Sequence, residues 1–213
     1  MLPAADIEAL AALARALPGI DLDCYRRHGR DPSQPMLGLG PCKAPLCLVG
    51  RDPGDSEIAQ WRPFVGASGQ KIRQGLAAPG DARVFWINTV PYKPLGNKAW
   101  PLAVQRRFHA VLWPLLLREW AGRDVLTFGK EAFHWFGLGQ PATVRQRIEA
   151  FWAREDRFEA ALALELAGRV FALHPLPHPS PANALWAKRF PQLLRGRLER
   201  LGYSSQPLSP SSP

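Results

Sequence analysis

Val49-Gly-Arg-Asp-Pro-Gly-Asp-Ser-Glu-Ile-Ala-Gln-Trp-Arg-Pro-Phe-Val-Gly-Ala-Ser-Gly69 decides how this chain reads. The apolar run Pro45-Leu-Cys-Leu-Val49 ends here in two Gly/Pro loops that carry a carboxylate, Asp52, and an aromatic, Phe64. A counterpart lies far along the chain, where Arg169-Val-Phe-Ala-Leu-His-Pro-Leu176 ends in His178-Pro-Ser-Pro181. A strand that stops at a Pro/Gly turn leaves its last side chains at the rim of a sheet, where open α/β folds place ligands. Two such rims, one acidic and one bearing an imidazole, predict a single cleft.

Working outward, Arg83-Val-Phe-Trp-Ile-Asn88 and Asp124-Val-Leu-Thr-Phe128 read as two further strands. The first of these is preceded by a turn at Pro79-Gly80-Asp81 and followed by a loop from Pro91 to Pro101. Helices are expected over residues 4–17, 69–77, 102–120 and 130–136, with Pro114 as a kink or early stop in the third. Residues 21–43 read as a wrapping loop. Residues 143–170 resist assignment, with a strand pair favoured near their end. A basic helix follows over about Asn183 to Leu201, and the Ser/Pro tail 204–213 is expected to be disordered. Short apolar strands alternating with helices predict an α/β fold, three-layered αβα around a mainly parallel four-stranded sheet. The expectation is one domain over residues 1–203.

The 213 residues suit one core of ordinary size. Lys plus Arg exceed Asp plus Glu by 27 to 18, a formal charge of +9, so the surface field favours a polyanion. The three cysteines, Cys24, Cys42 and Cys47, form no C-x-x-C pair, which argues against a disulfide framework and a zinc ribbon. A reducing compartment, the cytoplasm, is the expectation. Residues 1–20 mix Asp6, Glu8 and Arg15 among Ala and Leu and do not read as a secretory signal. No apolar run has the length of a membrane span.

Four motifs together resemble the uracil-DNA glycosylase superfamily: Gly50-Arg-Asp-Pro-Gly54, Pro63-Phe-Val-Gly-Ala-Ser-Gly69, Asn88-Thr-Val-Pro-Tyr-Lys-Pro-Leu-Gly-Asn-Lys98 and His178-Pro-Ser-Pro181. Their order and strand-end placement agree across about residues 20 to 202. The resemblance implies an enzyme that flips a deaminated base from DNA and hydrolyses its N-glycosidic bond, leaving an abasic site. A base inside a duplex hides its pairing edge and sugar carbon, so a pocket must stack, read and hydrolyse it.

The roles follow from the resemblance. Asp52 occupies the position of a catalytic carboxylate that orients water and stabilises positive charge on the sugar. Taken alone, it reads equally as a turn residue before Pro53. Phe64 resembles the stacking aromatic, and Asn88 the amide that accepts from N3–H and donates to O4 of uracil. Gly50 belongs to the same base pocket. His178 resembles the imidazole that donates to O2 as the base departs, while His28, His109, His134 and His174 read as structural or surface groups. Ser68, Gly69, Gln70, Asn97, Lys98 and Ser180 are expected to meet DNA. Lys188 and Arg189, with Arg195, Arg197 and Arg200, make the last helix basic. The wedge that fills the vacated stack follows the His-Pro-Ser-Pro motif. Ala182 stands where a Leu is usual, leaving Asn183 or Leu185 to serve.

Departures from the pattern are as informative. The branch with the most similar second and third motifs holds a four-iron cluster on four cysteines. Here Tyr92 and a residue near Leu112 stand at two of those places, leaving Cys24 as a relic, so no cluster or other cofactor is expected. That branch has Glu at the second position of its first motif; this chain has Arg51, then Asp52. Gly54 replaces a Tyr that excludes the thymine methyl in the Asp-bearing branch, which leaves thymine, hypoxanthine and xanthine open as substrates. The leading expectation is a monofunctional, monomeric glycosylase acting on DNA that contains a deaminated base. The alternatives are a silent damage binder, an altered-base member or a covalent DNA-trapping member. A serine hydrolase or nucleotide triphosphatase fits poorly, because Gly66-Ala-Ser-Gly-Gln70 lacks the last glycine of a nucleophile elbow and no P-loop exists.

Overall fold

Burial alternates by face along the strands, as the two-residue period of β structure requires. In β1 (Leu46–Gly50), Leu46 and Leu48 enter one core while Cys47 and Val49 enter the other. In β2 (Val84–Asn88), Val84 and Trp86 divide from Phe85 and Ile87 in the same way. Both faces are covered, so the strands read as continuous apolar runs. The computed structural model describes residues 4–38, 40–76, 83–180 and 183–203. The turn expected at Pro79-Gly80-Asp81, Pro181, Ala182 and the tail 204–213 lie outside the described residues.

Three more strands, β3 (Asp124–Phe128), β4 (Leu162–Leu166) and β5 (Arg169–Leu176), complete a sheet of order β2-β1-β3-β5-β4. β2, β1, β3 and β5 are mutually parallel, and β4 pairs antiparallel to β5. The expected four strands are thus joined by a fifth. It is a short edge strand whose outward residues Ala163 and Glu165 are exposed, so it lacks the apolar run that marks the inner strands. Ala167 and Gly168, both at positive φ, make its hairpin turn.

One layer of helices contains α4 (Ala67–Gly75) and α9 (Phe190–Arg200), which bury Ile72, Phe190, Leu194 and Leu198 against Trp86, Leu126 and Phe128. The opposite layer holds α1 (Ala4–Arg15), α2 (Leu22–Arg27), α5 (Leu102–Glu119), α6 (Lys130–His134) and α7 (Ala142–Trp152). The short helices α3 (Asp55–Gln60) and α8 (Ala184–Ala187) sit in the loops that follow β1 and β5. Pro114 neither stops nor splits α5, which runs five residues beyond it to Glu119. The lost backbone donor is outweighed by burial of Leu112, Leu115 and Leu116 on the same helix. Residues 21–43 contain α2 as well as loop.

The chain leaves β1 through α4 to β2 on one side, then returns through α5 to β3 on the other. β1 is therefore the switch strand, and the crevice at its carboxyl end is where such sheets bind ligands. Gly50 pairs in register with Asn88 there, and Phe128 with Leu176.

Candidate active site

All four strand ends meet around a small cavity of about 60 Å³, lined by residues that include Gly50, Arg51, Asp52, Glu57, Phe64, Asn88, Phe128 and His178. The cleft expected from two distant rims is one site. It is held together from the backbone outward. Thr89 N donates to Gly50 O at 2.9 Å and Val90 N to Arg51 O at 3.1 Å, while the Thr89 hydroxyl donates to Arg51 O at 2.6 Å. The loop after β2 thereby fixes the loop after β1.

Asp52 is almost wholly enclosed, its side chain 6% exposed beside the 25% exposed Arg51. Arg51 Nε donates to Oδ1 at 2.6 Å and Nη2 reaches Oδ2 at 3.3 Å. Burial raises the Asp52 carboxyl to about 6, against the opposing pull of Arg51 and Lys93 and with a small push from Glu131. At neutral pH the anion therefore predominates, in an enclosed setting.

Phe64 sits at φ 57°, a left-handed conformation rare for an aromatic residue. Arg73 enforces it by donating Nε to Phe64 O at 2.8 Å and Nη2 to Pro63 O at 3.0 Å, with its guanidinium 4.3 Å from the Trp86 ring centre. Gly69 permits it, since a Cβ there would lie 2.1 Å from Phe64 C. The Phe64 ring packs on Trp86 at 5.0 Å and Phe128 at 6.1 Å. A Cβ at Gly50 would lie 2.5 Å from Asn88 Oδ1 and 2.7 Å from Phe64 Cζ, so only glycine lets these two side chains close over the strand end. Asn88 is buried, and its side-chain amide has no hydrogen-bond partner among the described residues.

The His178 ring accepts from Ser180 N at Nδ1, 3.2 Å away. A backbone N–H can only donate, so Nδ1 carries the lone pair and the neutral ring holds its proton on Nε2. Burial first, and Arg51 second, lower its pKa, which keeps it neutral at physiological pH. Asn183 donates its side-chain amide to His178 O at 3.2 Å, and Lys71 Nζ reaches Pro179 O at 3.2 Å.

Glu57 was not legible as a site residue. Buried on α3, it accepts from Gly54 N at 3.0 Å and Gly66 N at 2.7 Å, stapling the Asp52 loop to the Phe64 loop. Its place three residues after Gly54, where a capping-box Glu stands, is the signal that could have found it.

The residues expected to face DNA divide into groups. Ser68 and Gly69 line the cavity. Gln70 is turned back, donating its side chain to Val65 O at 3.2 Å. Asn97 accepts from Lys93 Nζ at 2.9 Å through Oδ1 and from Arg51 Nη2 at 2.9 Å through its backbone oxygen, while Lys98 is exposed. Leu185 is 76% exposed on α8, and Lys188 and Arg189 are exposed on the turn before α9. Arg197 belongs to another setting, being buried and donating to Phe158 O, Ala160 O and His174 Nδ1. Its charge serves the core of the molecule. His174 in turn meets Asp124 at 2.9 Å, consistent with a structural histidine.

A family model described as the uracil DNA glycosylase superfamily matches residues 37–202. The chain belongs to that superfamily. It is 34% identical over 95 residues to a type-4 uracil-DNA glycosylase of Pyrobaculum aerophilum, covering 44% of this chain and 45% of the relative. It is 40% identical over 65 residues to a type-4 uracil-DNA glycosylase of Sulfurisphaera tokodaii, covering 29% of each. The chain thus spans less than half the length of these curated relatives of the superfamily.

The four-iron cluster implied by the resemblance to one branch of the superfamily finds no fitting donors here. Tyr92 and Leu112 are wholly buried, and the Tyr92 hydroxyl donates to Ser33 O at 2.9 Å. Cys24 donates to Asp55 at 3.3 Å, its thiol pushed up to about 11 by burial and by that carboxylate. A phenol and an aliphatic side chain do not replace the thiolates such a cluster requires.

Proposed function

We propose that the protein is a monofunctional glycosylase that hydrolyses the N-glycosidic bond of uracil in DNA. The observation that carries this reading is the convergence of Asp52, Phe64, Asn88 and His178 on one cavity at the switch strand. A flipped base stacks on Phe64, a contact worth about 1–3 kcal/mol. The Asn88 amide, which lines the cavity, offers an acceptor for N3–H and a donor for O4. As the glycosidic bond breaks, its electron pair moves onto the base, and His178 Nε2–H donates to O2, where negative charge collects. A water adds its oxygen to the sugar carbon and releases a proton, giving free uracil and an abasic site. Asp52, anionic and enclosed, stabilises the oxocarbenium-like sugar and orients the water.

In this reading Leu185, exposed on α8, fills the vacated stack, while Lys71, Lys188 and Arg189 meet phosphates. The same reading makes the enzyme a monomer. The test uses single- and double-stranded oligonucleotides carrying one uracil, thymine, hypoxanthine or xanthine, with Asp52→Asn as control. Uracil excision should fall by about 10²–10⁴-fold in the variant while DNA binding persists. Salt-sensitive binding without excision of any base by the wild type overturns the reading in favour of a silent binder.

A further inference from the structure

Among the described residues, Arg51 is the one cation in direct contact with Asp52, and its position is fixed from two sides. Its Nε and Nη2 straddle the carboxylate, and Nη2 also donates to Asn97 O at 2.9 Å. Asn97 is itself held at φ 55° in the loop after β2, with its Oδ1 on Lys93 Nζ. Lys93, buried, closes the series on Asp21 Oδ2 at 3.1 Å. Asp52, Arg51, Asn97, Lys93 and Asp21 thus form a continuous polar chain from the cavity through the third motif to the N-cap of α2. The other groups facing Asp52 do not replace Arg51. Lys93 also favours the anion, but its ammonium is engaged by Asn97 and Asp21; Glu131 on α6 repels the carboxylate, Glu57 on α3 is engaged by two backbone N–H groups, and His178 is neutral.

We infer that Arg51 is a positioning residue that keeps Asp52 ionised and holds its carboxylate plane toward the cavity, with the Asn97 carbonyl as its anchor. This rests on the glycosylase reading above for its catalytic consequence, but its electrostatic core does not. The geometry also limits Asp52: with Arg51 donating to both carboxylate oxygens, the group is better suited to electrostatic stabilisation and water orientation than to taking up the water's proton.

The experiment has two readouts. Carboxyl-carbon NMR titration of the free protein follows Asp52 itself, and the pH dependence of single-turnover uracil excision follows its role. In wild type both midpoints are expected near 6. In Arg51→Gln, which keeps a hydrogen-bonding side chain without the charge, both should rise by about one pH unit or more. Excision should then fall roughly fivefold more near pH 6 than near pH 8, the loss expected when a carboxylate moves by about one pH unit. Arg51→Lys, which retains the charge but not the fork, should move in the same direction by less, and it serves where the Gln variant does not fold. An Asp52 titration unmoved in either folded variant overturns the inference. So does a loss of activity by one factor at every pH. Absent excision in the wild type would remove the glycosylase reading alone, because the NMR midpoint still reports on the Arg51 and Asp52 pair.

Discussion

At the scale of single residues, the site concentrates groups held away from their ordinary preferences. Asp52 is a buried carboxylate, Phe64 is left-handed, and the polar Asn88 is buried. Such groups cost stability where function requires them. The sign for Asp52 is definite. Its carboxyl is raised from 3.8 to about 6, so the folded protein holds this proton more tightly than the unfolded chain. Its contribution to stability is complete below pH 4 and is lost as pH rises through 6. Denaturant titrations of the wild type and Asp52→Asn should therefore show wild-type stability falling relative to the variant between pH 4 and 7. The expected fall is on the order of 2–3 kcal/mol. A difference that stays constant across that range contradicts the burial argument. Gly50→Ala makes a steric test of the same site. A methyl group wedged between Asn88 and Phe64 should cost about 1–3 kcal/mol and lower excision more than stability, as thermal melts and single-turnover rates will show.

At the scale of elements, the inner strands were legible because each is a mainly apolar run that stops at or just before Gly, Asn or Pro. Their carboxyl-end residues, Gly50, Asn88 and His178, could be placed at one rim for the same reason. Short elements were not legible. α2 and α3 have six residues each, less than two turns, and no period can establish itself over that length. α7 did carry a signal. Val144, Ile148, Phe151 and Trp152 stand at helical spacing behind Pro141, but the uncertain stretch after them obscured where the pattern ended. The last helix was expected as one element and is two, α8 and α9, with the break at Lys188 and Arg189. The break has a use. Trp186 packs edge-on to Phe158 at 4.8 Å and carries Arg189 at 5.0 Å, which anchors α8 while its neighbour Leu185 stays in solvent. If Leu185 fills the space left by the flipped base, Leu185→Ala should slow excision from double-stranded DNA by about tenfold or more, the scale of losing one buried aliphatic contact. Excision from single strands should be nearly unchanged, because no stack has to be held open. Equal losses on both substrates would assign Leu185 a role in folding or general binding.

At the scale of the whole molecule, the formal charge of +9 is a statement about partners. No helix among the described residues is long and apolar enough to cross a membrane. Composition could not tell which of the 27 basic residues face a ligand, because charge count carries no direction. The structure separates them. Arg197 bonds two main-chain carbonyls and a histidine inside the molecule, Arg73 holds the Phe64 loop, and Arg51 is committed to Asp52. Lys71 reaches the Pro179 carbonyl just after His178, and Lys188 and Arg189 are exposed on the turn between α8 and α9. Each phosphate contact contributes about 0.9 to the slope of log affinity against log salt. Replacing Lys188 and Arg189 together by Gln should reduce that slope by about two and weaken DNA binding to a similar degree whether or not uracil is present. Fluorescence anisotropy on uracil-containing and undamaged oligonucleotides over a salt series measures both quantities. The single-turnover rate at saturating protein should change little, since neither side chain lines the cavity. A rate that collapses while the salt slope is unchanged would move these two residues out of the DNA surface and into the organisation of the His178 loop.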